Sequence, residues 1–426
     1  MPEIVEDVAC TVCGCVCDDL RITVADGRIT EAIGACHLSR QWFLDQDSRR
    51  PAAAEIDRRD ANLAAALDRA AGILRKARYP LIYGLSRSST QGQRAAVALA
   101  EQLCANIDTT ASLCHAPSIM AIQEAGESTC TLGEIRNRAD LVIFWGVNPA
   151  QSHPRHLERY SGDPAGLFVP RGRPDRTVVV LDAQRTESAD LADLFIQVPP
   201  GRDFEVLWTL RGRVRGIPPM PGTDTGLPLD VLDDLARRLT SCRCGVFFFG
   251  LGLASRGLGH RNVEALLQLT RDLNAHTRFH ARRMRIPGDV TGADAVLCWQ
   301  TGFPFSVNLT RGYPRYNPGE YSANDLLERC EVDACLLLGS EGVRDMSPAA
   351  QAQLRRIPTI ALDHPTVASA VPPEVRFTTA VYGVHLRGTA YRMDEVPIPL
   401  RPVLKPGYPS DEEVLTQIRA RLARPG

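Results

Sequence analysis

The sequence predicts an α/β protein of several lobes with parallel sheets, behind a small N-terminal cysteine-rich β-hairpin domain. Three observations predict it. Apolar runs recur in the order strand, glycine turn, helix: YPLIYGLSR runs into TQGQRAAVALAEQL, and CGVFFFGLG into NVEALLQLTRDL. These runs are continuous rather than alternating, as parallel strands buried on both faces require. Finally, Cys10, Cys13 and Cys17 stand in Cys-x2-Cys-x3-Cys spacing ahead of a hairpin that returns to Cys36.

In that hairpin Leu20, Ile22 and Val24 alternate with polar residues, Asp26-Gly27 makes a two-residue turn, and Ile29 begins the return. Four thiolates suit a [4Fe–4S] cluster or tetrahedral zinc. The plain alternative is a set of unligated core cysteines. Cys15 is a fifth thiol in the same segment, expected to turn away from the other four. Residues 59–77 carry apolar residues at helical spacing, with Asp60 near the start. ADLVIFWGVNP, DRTVVVLDAQRTESADLAD, VDACLLLGSEG and PTIALDHP are further strands with polar ends. Residues 211–230, rich in Gly and Pro, read as a linker or surface excursion between two lobes. The expected division is a hairpin domain at 1–55, a first dinucleotide-binding lobe at 56–210 with contributions from the C-terminal segment, a second lobe at 231–395, and a tail at 396–426.

Composition narrows the function classes. Across 426 residues, 49 Lys and Arg balance 50 Asp and Glu, so no surface for nucleic acid is expected. No run approaches the roughly 20 apolar residues of a membrane helix. MPEIVEDVAC has neither the basic nor the apolar region of a secretory signal. The expected compartment is the cytoplasm, where the 13 cysteines stay reduced or metal-bound.

In parallel sheets, ligands meet the loops at the carboxyl ends of strands. Gly146, Asn148, Pro149, Ser152, His153, Arg155 and His156 follow the VIFW strand. There a glycine admits close backbone approach, and Arg or His side chains can meet phosphate oxygens. The alternative is an ordinary polar loop. Asp182 ends the next strand and could accept from ribose hydroxyls. Asp203 could match the two N–H donors of a guanine edge. For both acids the alternative is a helix cap. Gly250, Gly252, Gly257 and Gly259 lack the spacing of a dinucleotide fingerprint. Cys114 and His115 lie in a loop before a helix, where a thiolate can ligate a metal and an imidazole can move a proton. A buried thiol beside a capped loop is the competing account. CWQTGFPFSVNLTRGYPRYNPGE reads as a long ordered loop over a site.

Taken together, CTVCGCVCDD, ASLCHAPS, WGVNPAQSHPRH, VVVLDAQRTESADLADLFIQVPPGRDFEVL and WQTGFPFSVNLTRGYPRYNPGE, in that order, give the chain a resemblance. From residue 10 to about 395 it resembles the B-type subunits of formylmethanofuran dehydrogenase, a family within the molybdopterin oxidoreductase superfamily. This family includes the B-type subunit of the bacterial formyltransferase/hydrolase complex. The resemblance implies that Cys10, Cys13, Cys17 and Cys36 bind [4Fe–4S]. It implies that Cys114 ligates molybdenum or tungsten held by two pterin guanine dinucleotides, and that His115 and Arg285 act on formate or CO2. The loops with Gly146, Asn148, Pro149, His153 and Arg155, and with Asp182, Arg185, Thr186 and Asp203, would hold one dinucleotide.

The superfamily's C-terminal β-barrel is not expected in this chain, so the resemblance also implies a partner: a D-type subunit that carries the barrel. An amidohydrolase-like A-type subunit, a C-type subunit and ferredoxin-type electron carriers complete the implied partners. Two places differ from the family. Ser39 and Trp42 stand where a Gly and a Lys are expected, and IPGDVTG follows Arg285 where a histidine and an aromatic are expected. Two functions are therefore carried forward. One is the interconversion of CO2 and formate at a Mo or W site. The other is a redox-inactive structural role in a formyltransferase/hydrolase complex, in which the cluster and the metal–pterin are dispensable.

Overall fold

A computed structural model of the chain describes residues 2–218, 222–255 and 258–424. It divides into two compact units: Met1–Leu113 with Ile286–Gly426, and Cys114–Arg285. These divisions fall inside both of the lobes expected at 56–210 and 231–395, because strands distant in sequence pair within the first unit. Among the described residues no helix is long and apolar enough to cross a membrane, and none of the sheets closes into a barrel.

The Cys114–Arg285 unit is a five-stranded, wholly parallel sheet. In spatial order its strands are Leu194–Gln197, Thr177–Asp182, Leu141–Trp145, Cys244–Phe249 and Arg278–Arg283. Leu141–Trp145 and Cys244–Phe249 are buried at every position, which explains their unbroken apolar sequence. The strand order reverses between these two strands, and ligands of open α/β sheets bind at that reversal. The helices Ala116–Ala125, Asp203–Val214, Leu229–Ser241 and Gly259–Leu273 supply apolar faces to one core, with Leu207, Leu210, Leu235 and Leu266 fully or nearly fully buried. The described parts of the segment expected as a linker or surface excursion, 211–218 and 222–230, belong to this one unit. Their first residues complete a helix, and Leu210 and Leu232 share a core. Pro219, Met220 and Pro221, and Gly257 of the glycine loop, lie outside the described residues.

The other unit is built on a nine-stranded sheet whose centre runs, in parallel, Asn106–Thr109, Pro80–Gly84, Ala334–Leu338, Thr359–Asp363 and Val375–Thr378. The aromatic-rich segment expected as one loop instead ends a helix at Thr301. It then adds the short strands Val307–Asn308 and Arg315–Tyr316 to one edge. The hairpin Leu20–Ala25/Arg28–Ile33 forms as expected. Asp26 (φ 51°) and Gly27 (φ 73°) both take the left-handed conformation that such a turn needs. Glu3–Val8 adds a third antiparallel strand. Ala9 and Val16 of the cysteine segment pack with Tyr382, Ala390, Ile398 and Leu400 in one apolar cluster.

Candidate functional site

The cysteine segment folds as a tight knot. Cys10 N–H donates to Cys17 O (2.7 Å), Val16 N–H donates to Cys13 O (3.2 Å), and Val16 sits at φ 37°. Cys10, Cys13, Cys15 and Cys17 are all at most 7% exposed. Burial pushes the Cys10 thiol well up, and Cys13 and Cys17 beside it push it further. Ser39 closes the circle: its hydroxyl hydrogen-bonds Cys10 and lies 3.5 Å from Cys36 Sγ. Cys15 does not turn away. It is 1% exposed and hydrogen-bonded to the Cys13 and Cys17 side chains, because the knot is too tight to expel it. Among the described residues no group of three or more His, Cys, Asp or Glu side chains is drawn onto one point as ligands of a single ion. The donor set nonetheless fits a cationic cage. Buried thiols resist ionising in one another's company, and iron of a cluster would offset their charge.

In the Cys114–Arg285 unit, the strand-end loops are tied to one another. Gly146 (φ 59°) packs on the next loop; a Cβ there would lie 2.7 Å from Leu253 N. Gly252 N–H donates to Gly146 O at 2.9 Å. The backbone that approaches Gly146 closely is thus the chain's own. Asn148 Oδ1 accepts from Ser188 Oγ (2.6 Å) and Ser188 N (3.3 Å), while Asn148 Nδ2 donates to Glu187 Oε2 (2.6 Å). Pro149 opens a helical turn, Pro149–Ser152. Arg155 is paired with Glu158 (3.0 Å) and Arg185 with Asp190 (2.7 Å). Thr186 caps the turn Glu187–Asp190 without its side chain, whose Oγ1 is buried with no hydrogen-bond partner. Asp182 is half-buried at its strand end, and Asp203 takes Trp145 Nε1–H at 2.8 Å. An orphaned hydroxyl on Thr186 and two acids, one ending the strand Thr177–Asp182 and one opening the helix Asp203–Val214, fit a polyhydroxylated ligand.

The same unit brings His115, the residue after Cys114, close to Arg285 from far along the chain. Cys114, partly buried, ends the helical turn Ala111–Cys114. His115 follows it, 2% exposed. One imidazole nitrogen bonds the backbone carbonyl of Met284, and Nδ1 has no partner. Burial, then the charges of Arg285 and Arg283, holds this imidazole well below its usual range, so it is neutral. Arg285 is 1% exposed. A thiol, a neutral imidazole with an unused acceptor and a buried guanidinium fit a site where a carboxylate meets a metal.

Sequence reasoning missed the corresponding strand ends of the first unit. A cavity of about 320 Å³ is lined there by Thr11, Arg87, Glu341, Arg344, His364 and Tyr382, among others. It opens where the order of the parallel strands reverses, between Pro80–Gly84 and Ala334–Leu338. Arg87 Nε lies 3.0 Å from Glu341 Oε1. Asp363 accepts from Ser340 N (2.8 Å) and Oγ (2.9 Å), and burial lifts its carboxyl to about 6. His364 is lowered to about 3, chiefly by burial and then by Arg87. The signal for this cleft was the polar ends of LLLGSEG and IALDHP.

No family model matches the chain. It is 39% identical over 424 residues to the B subunit of tungsten-containing formylmethanofuran dehydrogenase 2 from Methanocaldococcus jannaschii, covering 97% of this chain and 98% of that one. It is 35% identical over 425 residues to the protein of the same name in Methanococcus maripaludis, covering 98% of each. Among solved structures, it superposes with TM-score 0.70 and 26% identity on a chain of the formyltransferase/hydrolase complex FhcABCD from Methylorubrum extorquens, crystallised with methylofuran. The match covers 87% of this chain and 98% of that one. Fold and relatives define an oxidoreductase-type subunit of the molybdopterin superfamily. Within that class, the chain belongs to the family of formylmethanofuran dehydrogenase B subunits. Members of this type work in multi-subunit one-carbon complexes.

Proposed function

We propose that this chain is the redox subunit of a formylmethanofuran dehydrogenase complex, interconverting CO2 and formate for a furan-type carrier. The observation that carries the reading is the buried grouping of His115 with Arg285 directly after Cys114. Identity of 39% and 35% across whole tungsten-enzyme subunits, against 26% to the formyltransferase/hydrolase chain, supports it.

In this reading Cys10, Cys13, Cys17 and Cys36 hold [4Fe–4S], and Cys114 ligates Mo or W. The loops of Gly146, Asn148, Pro149 and Arg155, with Asp182, Arg185, Thr186 and Asp203, cradle one pterin guanine dinucleotide. The cleft of Arg87, Glu341 and His364 is, within its own unit, a second strand-end place suited to a nucleotide. When bound, the metal–pterin would supply the two-electron chemistry and the cluster the exit for electrons. The chain's own residues do the rest. Arg285 offers a fork of N–H donors to the carboxylate of formate. His115, neutral and with Nδ1 open, takes the proton that leaves as formate becomes CO2. Burial of both excludes bulk water and strengthens their hold on a small anion. The proposed partners are a D-type barrel protein, an amidohydrolase-like A-type subunit, a C-type subunit and ferredoxin-type carriers. The cytoplasm is the proposed compartment.

The structural likeness to the formyltransferase/hydrolase chain, at TM-score 0.70, favours a second reading: a redox-inactive structural member of a complex that releases formate. Analysis of the native complex separates the two. The first requires stoichiometric Mo or W with pterin guanine dinucleotide and formate-dependent reduction of a viologen dye. A complex without metal, pterin and dye reduction is the second.

A further inference from the structure

His153 stands in the strand-end segment that the sequence assigns to phosphate. It has no nitrogen to offer one. Nε2 lies 3.0 Å from the Arg285 carbonyl oxygen and Nδ1 lies 2.8 Å from Ser152 Oγ, in a side chain 1% exposed. A carbonyl only accepts, so Nε2 carries the hydrogen; burial holds the imidazole down at about 4, so the ring is neutral and Nδ1 bears no hydrogen. The neighbouring carbonyl, that of Met284, is held by His115. Two consecutive carbonyls just past the strand Arg278–Arg283 are therefore each pinned by a buried imidazole. The imidazoles arrive from separate places in the same unit: His115 opens the helix Ala116–Ala125, and His153 closes the turn Pro149–Ser152. That turn is itself anchored, since Asn148 is bonded to Ser188 and Glu187. Fixing both peptide planes fixes the direction in which the Arg285 side chain leaves the backbone.

We propose that His153 is a positioning residue for Arg285: its imidazole holds the Arg285 peptide so that the guanidinium meets the substrate carboxylate, and it is not a phosphate ligand. This rests on the reading of Arg285 as the carboxylate-binding group.

The test uses the native complex with His153→Met, which removes the donor, and His153→Gln, whose amide places a donor near the Nε2 position. His153→Met is expected to raise KM for formate at least ~10-fold while kcat falls less than ~3-fold, since binding rather than chemistry loses its geometry. His153→Gln brings KM back to within ~3-fold of wild type, and metal and pterin contents match wild type in both variants. A wild-type KM in His153→Met overturns the proposal. So does an equal rise in His153→Gln, or a loss of pterin with unchanged KM in the loaded fraction.

Arg285→Ala is the control on the underlying reading. If it leaves formate turnover intact, or if wild type has none, that reading fails. Amide hydrogen exchange across residues 282–288 then decides the positioning claim alone. Faster exchange in His153→Met but not in His153→Gln supports it, and wild-type exchange in His153→Met overturns it.

Discussion

Trp145 donates its indole N–H to Asp203 Oδ1 across 2.8 Å, joining the end of a fully buried strand to the first turn of the helix Asp203–Val214. Trp145 is 0% exposed, so Asp203→Ala leaves a buried N–H without an acceptor. The expected cost is about 1–3 kcal/mol in urea unfolding of the purified chain. Trp145→Phe in the Asp203→Ala background should add less than it costs alone, because the pair is already broken. If Asp203 also takes a guanine edge, Asp203→Ala lowers pterin dinucleotide content in the complex, whereas Trp145→Phe does not.

How much of this was legible in the sequence follows from how local each feature is. The hairpin could be read because the Asp26-Gly27 turn and the alternation around it are contiguous. The buried strands could be read because burial on both faces leaves an unbroken apolar run. The pairing of His153 with Arg285 could not, since 132 residues separate them. Nor could the insertion of one unit within the other, because nothing in Leu81 or Ile82 says that Cys335 and Leu336 will lie beside them. Cys15 was misread for a different reason. Spacing identifies which thiols can chelate, but a buried knot retains a spare thiol as readily as a ligand.

Gly146 and Gly252 form a contact that admits no side chain. A Cβ on Gly146 would meet Leu253 N at 2.7 Å in a left-handed backbone, and one on Gly252 would meet Gly146 O at 2.6 Å. Gly146→Ala should destabilise the chain by more than ~1 kcal/mol, seen as a lower Tm. Gly27→Ala, whose Cβ position is open, should lose less. Equal losses would mean that the contact, as distinct from φ, carries no cost.

Asp411 gives the chain a pH dependence. It is 5% exposed and accepts from Ser88 Oγ at 2.6 Å. Burial, then smaller effects that include Asp363 and Glu341, lifts its carboxyl to about 6. The folded value exceeds the unfolded one. The stability it contributes is therefore fully present below the unfolded value near 4 and is lost as pH rises through about 6. Asp411→Asn keeps an acceptor for Ser88 and carries no charge, so it should flatten the stability profile between about pH 4 and 6. At pH 8 it should unfold later than wild type, with a gain on the order of 2–3 kcal/mol. An Asn variant with the wild-type slope would show that other groups set it.

The thiol knot predicts a ranking. Cys10→Ser and Cys36→Ser should each lower iron and acid-labile sulfide in the anaerobically purified complex, while Cys15→Ser retains both. If Cys15→Ser loses as much iron as Cys10→Ser, the fifth thiol is a ligand and the assignment of four is wrong.

The central claim is that Cys114 marks a working redox site. The most direct measurement is formate-dependent viologen reduction by the native complex, wild type against Cys114→Ser, with metal content determined on the same samples. The account predicts an active wild type and at least a ~1,000-fold loss in the variant, with the complex still assembled. An active wild type indifferent to Cys114→Ser contradicts the ligand assignment. A wild type with no activity and no Mo or W contradicts the redox role itself.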